Sequence, residues 1–375
     1  MVKLKEILDV KNLEKRLEER YILKQVHPTL PLSIYNYSQE AMFDQVWDHE
    51  TMICRGLIVD GEQNVISRPF YKFFNIDTSS RPETLRENLP KSTPLVTEKM
   101  DGSLGISWKY DGQTGIATRG SFTSEQAIWA TKCLHNKYPS LLETIPEDST
   151  LLFEIIYPEN VIVVSYDFSD LIVLSMVYNP IGKEYSRKYL ETLESYAGFP
   201  PLVPKFKKSL DQVIAENIHN KEGYVLSWEV SQDLHNAQPF RVKVKFADYM
   251  RLHKLVTGVS PKSLWKMLMA GIDLLALSED LPEHFVTWVT EWTSKFREEY
   301  DRISTRSQAI YSMAPLGADR KTIALYFMQY PDYKSSLFLM LDHKSPSEAI
   351  WKHVWSIVQP RIKEDSVFRQ DSEQT

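Results

Sequence analysis

Lys99 stands in the run Glu98-Lys99-Met100-Asp101-Gly102-Ser103, between two strand-like stretches. A lysine amine is a covalent nucleophile when its surroundings remove its proton. Taken alone, the run also fits a lysine exposed in a turn. Its companions carry the chemistry further. In Leu151-Leu152-Phe153-Glu154-Ile155-Ile156, strand alternation puts Leu152, Glu154 and Ile156 on one face and Leu151, Phe153 and Ile155 on the other. Glu154 is the one polar group there. A carboxylate in such a strand is costly unless a cation or hydrogen-bond donors meet it; the alternative is an edge strand with Glu154 facing water. Glu222, in Lys221-Glu222-Gly223-Tyr224-Val225-Leu226, stands at the mouth of another apolar strand. In Arg241-Val242-Lys243-Val244-Lys245-Phe246, period two collects Arg241, Lys243 and Lys245 on one face. Three such cations repel one another unless an anion lies over them. A solvated outer face of a sheet is the other reading.

Lys-x-Asp-Gly, a strand Glu, Glu-Gly and Lys-x-Lys follow one another in that order between Lys99 and Lys245. The series resembles the covalent nucleotidyltransferases, that is, polynucleotide ligases and capping enzymes. Upstream, Tyr35-Asn36-Tyr37, Cys54-Arg55-Gly56, Ser67-Arg68-Pro69 and Lys72-Phe73-Phe74-Asn75 are similar to the bacteriophage RNA ligase 1 family of the T-even type. Gly120-Ser121 followed by Ser124-Glu125-Gln126-Ala127, and Asp319-Arg320-Lys321-Thr322 further on, also resemble it. The resemblance covers nearly the whole chain, including a C-terminal part typical of that family rather than of DNA ligases.

The resemblance implies an ATP-dependent RNA ligase joining 5′-phosphate and 3′-hydroxyl RNA ends, with a role in RNA and tRNA repair. Lys99 would attack the α-phosphorus of ATP and become lysyl-AMP. The adenylate would pass to an RNA 5′-phosphate, and a 3′-hydroxyl would then displace AMP. It further implies that Glu154 and Glu222 sit by the adenylate and hold Mg²⁺, with Mn²⁺ as an alternative, in part through water. Tyr35, Arg55 and Lys72 would surround the ATP phosphates with Lys243 and Lys245, Arg55 in a bidentate manner. Arg119 would lie near the ribose. Asp101 and Gly102 belong to the nucleotide site, and Gly102 and Gly223 would let backbone approach the nucleotide. An Asp-Asp pair binds a metal in the helical part of the family. Here Ile272-Asp273 leaves Asp273 as the candidate ligand. Lys99 must be neutral to attack, and neutrality at pH 7 costs a free lysine roughly 4–5 kcal/mol. Burial and the positive charge of Mg²⁺, Lys243 and Lys245 would lower that cost. The implied partners are single-stranded RNA ends or cleaved tRNA, met by a monomer.

Two other readings remain. A DNA ligase or capping enzyme usually appends an OB-fold after the Lys-x-Lys strand, whereas the sequence here turns helical. A non-catalytic RNA end-binding protein would have no need of Lys99, Glu154, Glu222, Lys243 and Lys245 together.

Composition narrows the class. A formal net charge of -6 argues against non-specific coating of nucleic acid, though not against a local basic cleft. The segment 241–262 offers such a place, with Arg241, Lys243, Lys245, Arg251, Lys254 and Lys262 against the single acid Asp248. Cys54 and Cys133 are far apart and outside any metal-binding spacing, so they read as reduced thiols. The histidines form no HExxH pair, which disfavours zinc chemistry. No apolar run approaches the roughly 20 residues that span a bilayer. The first residues lack a secretory apolar stretch. A cytoplasmic location is expected, in the host cytoplasm for a phage-encoded chain.

Strands must carry these residues. Runs at Gly56–Asp60, Gly105–Tyr110, Leu151–Tyr157, Leu171–Tyr178, Tyr224–Val230 and Phe240–Phe246 read as strands, with Asp60-Gly61, Asp101-Gly102 and Asp111-Gly112 as turns. Helical patterns lie at Ser124–Tyr138, Ser186–Ala197 and Ser209–Asn217, and the first 20 residues read as one amphipathic helix. From about Gly258 on, only helices are expected. Ser260-Pro261 gives an N-cap, Glu283–Ser312 and Arg320–Tyr330 show helical spacing, and Ser345-Pro346-Ser347-Glu348 has capping-box spacing. The last dozen residues read as frayed. The expected fold is α+β. An N-terminal nucleotidyltransferase (adenylation) domain, 1–254, has antiparallel sheets and flanking helices. An all-helical domain, 255–375, selects the RNA.

Overall fold

The computed structural model describes residues 1–228, 239–277 and 281–359. They divide into two compact units, Met1–Arg251 and Leu252–Thr375. The fold is α+β, as the mixed strand and helix patterns implied.

The first unit is built on three sheets. One has the order β1 (Ile22–Val26), β2 (Leu32–Tyr37), β3 (Arg55–Asp60), β4 (Val65–Ser67), all antiparallel. Two short strands precede the second and third sheets in sequence and join the third: β5 (Phe74–Asn75) and β6 (Leu95–Lys99). The second sheet uses β7 (Ser103–Tyr110), β8 (Gln113–Ala117), β9 (Ser149–Ile156), β10 (Asp170–Tyr178) and β11 (Lys183–Glu184), in the spatial order β11-β10-β9-β7-β8. The third adds β12 (Lys205–Phe206), β13 (Gly223–Trp228) and β14 (Phe240–Lys245), in the order β12-β6-β13-β14-β5. Only the pair β14–β5 is parallel.

Helices α1 (Val10–Glu18), α2 (Gln39–Phe43), α3 (His49–Ile53), α4 (Glu125–Lys137), α5 (Leu141–Thr144), α6 (Arg187–Glu194) and α7 (Leu210–Ala215) belong to this unit. The division between the units falls inside α8 (Ala247–Gly258). Ser124, Ser186 and Ser209 cap α4, α6 and α7 by accepting a backbone N–H three residues on.

Alternation along β9 does what its sequence implied. Leu151, Phe153 and Ile155 enter a core with Ala130, Leu134 and Leu190 from α4 and α6. On the opposite face Leu152 packs with Leu32, Ile34 and Ile58 of the first sheet. Ile156 packs with Met100 and Val203. β9 is a central strand, so Glu154, between Leu152 and Ile156, is no edge residue facing water. At the β7–β8 hairpin, Asp111 and Gly112 both take positive φ, 47° and 72°, which suits the right-handed twist of the paired strands.

The second unit is helical among its described residues: α9 (Pro261–Met269), α10 (Glu283–Ser312), α11 (Arg320–Phe327), α12 (Lys334–Leu341) and α13 (Ser347–Val358), with one short 3-10 turn at Leu275–Leu277. Val289, Trp292, Phe296 and Ile303 of α10 build a core with Leu264, Trp265, Ile350, Trp351 and Val354. Ser260 caps α9 and Asp319 caps α11.

Some expectations need correction. The first 20 residues do not form one helix: a 3-10 turn at Leu4–Glu6 is followed by α1, because the Asp9 carboxylate accepts the Lys11 N–H and starts a new helix. The capping box at Ser345 does not form. Pro346 is the N-cap of α13, and the Ser345 hydroxyl accepts the Ser347 N–H at 3.4 Å instead. β1 and β2 were not among the runs read as strands. The end of the run Tyr224–Val230 and the last dozen residues, expected to be frayed, lie outside the described residues.

Candidate active site

Three neighbouring strands bring Lys99, Glu222 and Lys245 together. Lys99 ends β6 and Lys245 ends β14, and both pair with Gly223, the first residue of the strand between them. Glu222 precedes Gly223, so its carboxylate arrives between two ammonium groups. Lys99 Nζ donates to Glu222 Oε2 at 2.7 Å, and Lys245 Nζ lies 3.1 Å from Oε1. Glu222 is 1% exposed. Burial pushes its pKa up, but Lys99 and then Lys245 outweigh burial, and the net shift is downward. The crossing is tight at Gly223. It has φ 151°, and a Cβ there would sit 1.9 Å from the Val244 carbonyl.

The Lys99 side chain keeps 16% of its surface open, so the amine is not sealed off. Burial lowers the pKa of this ammonium, but the pull of Glu222 and Glu154 and the hydrogen bond to Glu222 overcome it. The net direction is upward. Burial alone acts in the direction that the attack on ATP requires.

Glu154 is buried in the middle of its sheet. Burial first, then Glu222 and Asp101, raise its pKa to about 8 against the pull of Lys99. Asp101 is 1% exposed. Its Oδ2 accepts the N–H groups of Val163 and Val164, each at 2.9 Å, and its Oδ1 accepts the Tyr249 hydroxyl at 2.8 Å. Burial and Glu222 still raise it to about 6. At Gly102 a Cβ would meet the Ile155 carbonyl at 2.6 Å and Glu154 Cγ at 3.1 Å. The missing side chains of Gly102 and Gly223 thus serve first the close approach of β9 and β14.

The strand face Arg241, Lys243, Lys245 is not solvated. Each cation has a different fate. Arg241 forms a two-pronged ion pair with Glu184, both contacts at 2.5 Å, and lies over the Phe70 ring. Lys245 has Glu222. Lys243 is 8% exposed and has no carboxylate within ion-pair distance among the described residues. Burial lowers its pKa well below the ordinary lysine value, and Lys245, Lys72 and Lys99 lower it further.

A second group gathers around the Tyr37 hydroxyl. It accepts Arg119 Nη1 at 2.7 Å and Lys72 Nζ at 3.3 Å. Burial raises this phenol's pKa, yet Arg119, Lys72 and Arg55 bring it down to about 8. Arg55 Nη1 is buried and makes no hydrogen bond.

The RNA ligase family model matches residues 53–249, more than half of the 375-residue chain. The chain belongs to this RNA ligase family. The ligase is 23% identical to an RNA ligase of Rhodothermus phage RM378 over 386 aligned residues, covering 83% of this chain and 85% of that one. Among solved structures, the Naegleria gruberi RNA ligase with pyrophosphate is 18% identical with a TM-score of 0.34. That match covers 43% of this chain and 51% of that chain, so the ligase spans about half the length of that relative. A variant of the Naegleria enzyme with ATP and Mn gives a TM-score of 0.33 at 18% identity, with coverage of 43% and 51%.

Two candidate residues of the ligase have other surroundings. Tyr35 sits in an apolar cluster with Leu4, Ile7, Ile53 and Leu57. β2 and β3 slip by one residue between the pairs Tyr35–Leu57 and Asn36–Arg55, and it is Tyr37 that meets Lys72 and Arg119. Asp273 is exposed in the second unit, where its carboxylate accepts the Leu275 N–H at 3.0 Å. Tyr37, Trp47 and Tyr249 were not singled out in the sequence. For Tyr37 a signal existed, since it closes the Tyr35-Asn36-Tyr37 motif. The other two are set by tertiary contacts.

Proposed function

We propose that this ligase uses ATP and forms lysyl-AMP on Lys99 before joining a 5′-phosphate RNA end to a 3′-hydroxyl. One observation carries the reading: Lys243 is 8% exposed and has no carboxylate within ion-pair distance among the described residues, on the same strand as Lys245. A buried charge of this kind is costly unless an anion joins it. Arg55 Nη1 adds a buried donor without an acceptor. A polyphosphate meets both demands, Arg55 through its planar fork and Lys243 as a point charge. The charge that builds on phosphate oxygens during attack falls where Lys243 and Lys245 can stabilise it.

A divalent cation fits the same place. Burial, then Glu222 and Asp101, raise the Glu154 pKa, and a bound cation would offset all three. Among the described residues no group of three or more His, Cys, Asp or Glu side chains could hold a metal alone. Water and phosphate oxygens would complete the shell, as Mg²⁺ prefers and Mn²⁺ accepts. When bound, the ion would draw the two carboxylates away from Lys99 and so favour its neutral amine.

The substrates proposed are single-stranded RNA ends or cleaved tRNA, on the strength of family membership, with the helical unit selecting the RNA. No helix among the described residues is long and apolar enough to cross a membrane. The test is incubation of the purified protein with [α-³²P]ATP and Mg²⁺, followed by sealing assays on RNA and DNA ends. The protein takes up label and seals RNA. Absence of label from ATP overturns the reading, and sealing of DNA alone transfers the chain to DNA repair.

A further inference from the structure

Lys72 is 9% exposed and, among the described residues, has no carboxylate within ion-pair distance. Three aromatic rings surround its ammonium instead. Nζ lies 4.8 Å from the ring centroid of Trp47, 4.9 Å from that of Tyr37 and 5.5 Å from that of Phe74. The rings brace one another edge to face. Trp47 is 5.1 Å from Tyr37 at 88°, and 5.6 Å from Phe74 at 73°. Each part comes from a different stretch of chain. Tyr37 ends β2, Trp47 follows α2, and Phe74 opens β5.

An aromatic face attracts a cation through its quadrupole and carries no net charge. A carboxylate partner would stabilise Lys72 too, but it would cancel the positive field and repel an incoming phosphate. A cage of rings stabilises the buried ammonium and leaves its charge unspent. Trp47 is the ring with the least to do otherwise. Tyr37 also bonds Arg119, and Phe74 also lies under Arg81 at 4.6 Å.

We propose that Trp47 is a positioning residue for nucleotide capture. It holds the Lys72 ammonium, charged and pointed, for the polyphosphate end of ATP, without itself touching the reacting atoms. This rests on the ATP reading above. It also separates the steps. Adenylation of the enzyme needs the polyphosphate, whereas an RNA end that already carries adenylate brings no pyrophosphate to be held.

The experiment compares wild type, Trp47→Ala and Trp47→Phe, all checked for an unchanged melting transition. Two readouts are taken: the ATP dependence of self-adenylation, and the rate of sealing a pre-adenylated RNA without ATP. A ring–cation contact in a desolvated site corresponds to about a tenfold effect or more. Trp47→Ala should therefore raise the KM for ATP about tenfold, with a smaller change in kcat and in sealing of the pre-adenylated strand. Trp47→Phe should restore most of the KM. An unchanged KM, an equal fall in both reactions, or no recovery in Trp47→Phe overturns the proposal. Wild-type protein that takes no label from ATP removes the nucleotide reading itself, and is told apart because it needs no variant.

Discussion

At one end of the ligase's charged interior every cation has a carboxylate; at the other, Lys72 is held by aromatic rings and Lys243 has no carboxylate within ion-pair distance among the described residues. Lys99 and Lys245 share Glu222. The paired end is neutralised and contributes to the folded state. The unpaired end costs stability and is ready for an anion. Buried charge without a partner is the feature that folding alone does not explain, since an apolar side chain would pack there at less cost.

Substitutions on the two sides should therefore split stability from activity. Glu222→Ala leaves Lys99 and Lys245 buried without their anion, and it should cost about 3–5 kcal/mol as well as the reaction. Lys243→Met removes the cation that has no partner. Activity should fall on the order of 10²–10³-fold, as for loss of a charge-stabilising donor, while stability rises by about 1–3 kcal/mol. Denaturant melts beside adenylation rates decide this. If both variants destabilise alike, the contrast between the two ends is wrong.

A second test uses pH. The Glu154 carboxyl titrates at about 8 in the folded protein against 4.5 when free. Between those values the folded state binds more protons than the unfolded state, so stability falls as pH rises through that window and levels above it. Asp101, raised to about 6, acts in the same direction over the lower part. Melting temperatures of metal-free protein from pH 5 to 9 should show the decline, and Glu154→Gln should flatten its upper part. A variant that keeps the full slope would assign it to other groups.

The smallest effect is expected at Asp273. Its carboxylate is exposed and accepts one backbone N–H, so Asp273→Ala should shift stability by less than about 0.5 kcal/mol. The divalent-ion dependence of adenylation should stay as in wild type. A changed metal requirement would give Asp273 back the ligand role that its family counterpart suggested.

The strands that carry the paired end were legible, because period-two alternation shows directly in Leu151–Ile156 and Arg241–Phe246. Helix α10 was read from Glu283 to Ser312 because its apolar residues repeat over eight turns. The unpaired end was only half legible. Arg55 and Lys72 stood in recognisable motifs, but the choice between Tyr35 and Tyr37 depends on a one-residue slip between β2 and β3, which alternation cannot show. The Trp47 cage and the Tyr249–Asp101 bond join residues far apart in sequence, and no local pattern announces them. The direction of the Lys99 pKa shift was hidden for a related reason. The sequence shows which charges are present, while the sign of a pKa shift depends on which of them lies nearest.

The proposed carrier of the adenylate is the Lys99 amine, resting against Glu222. Proteolytic mapping of the protein after reaction with ATP and a divalent cation tests it most directly. One added AMP is expected, on the peptide containing Lys99, and none in Lys99→Ala. AMP on another residue, or undiminished AMP in Lys99→Ala, would contradict it.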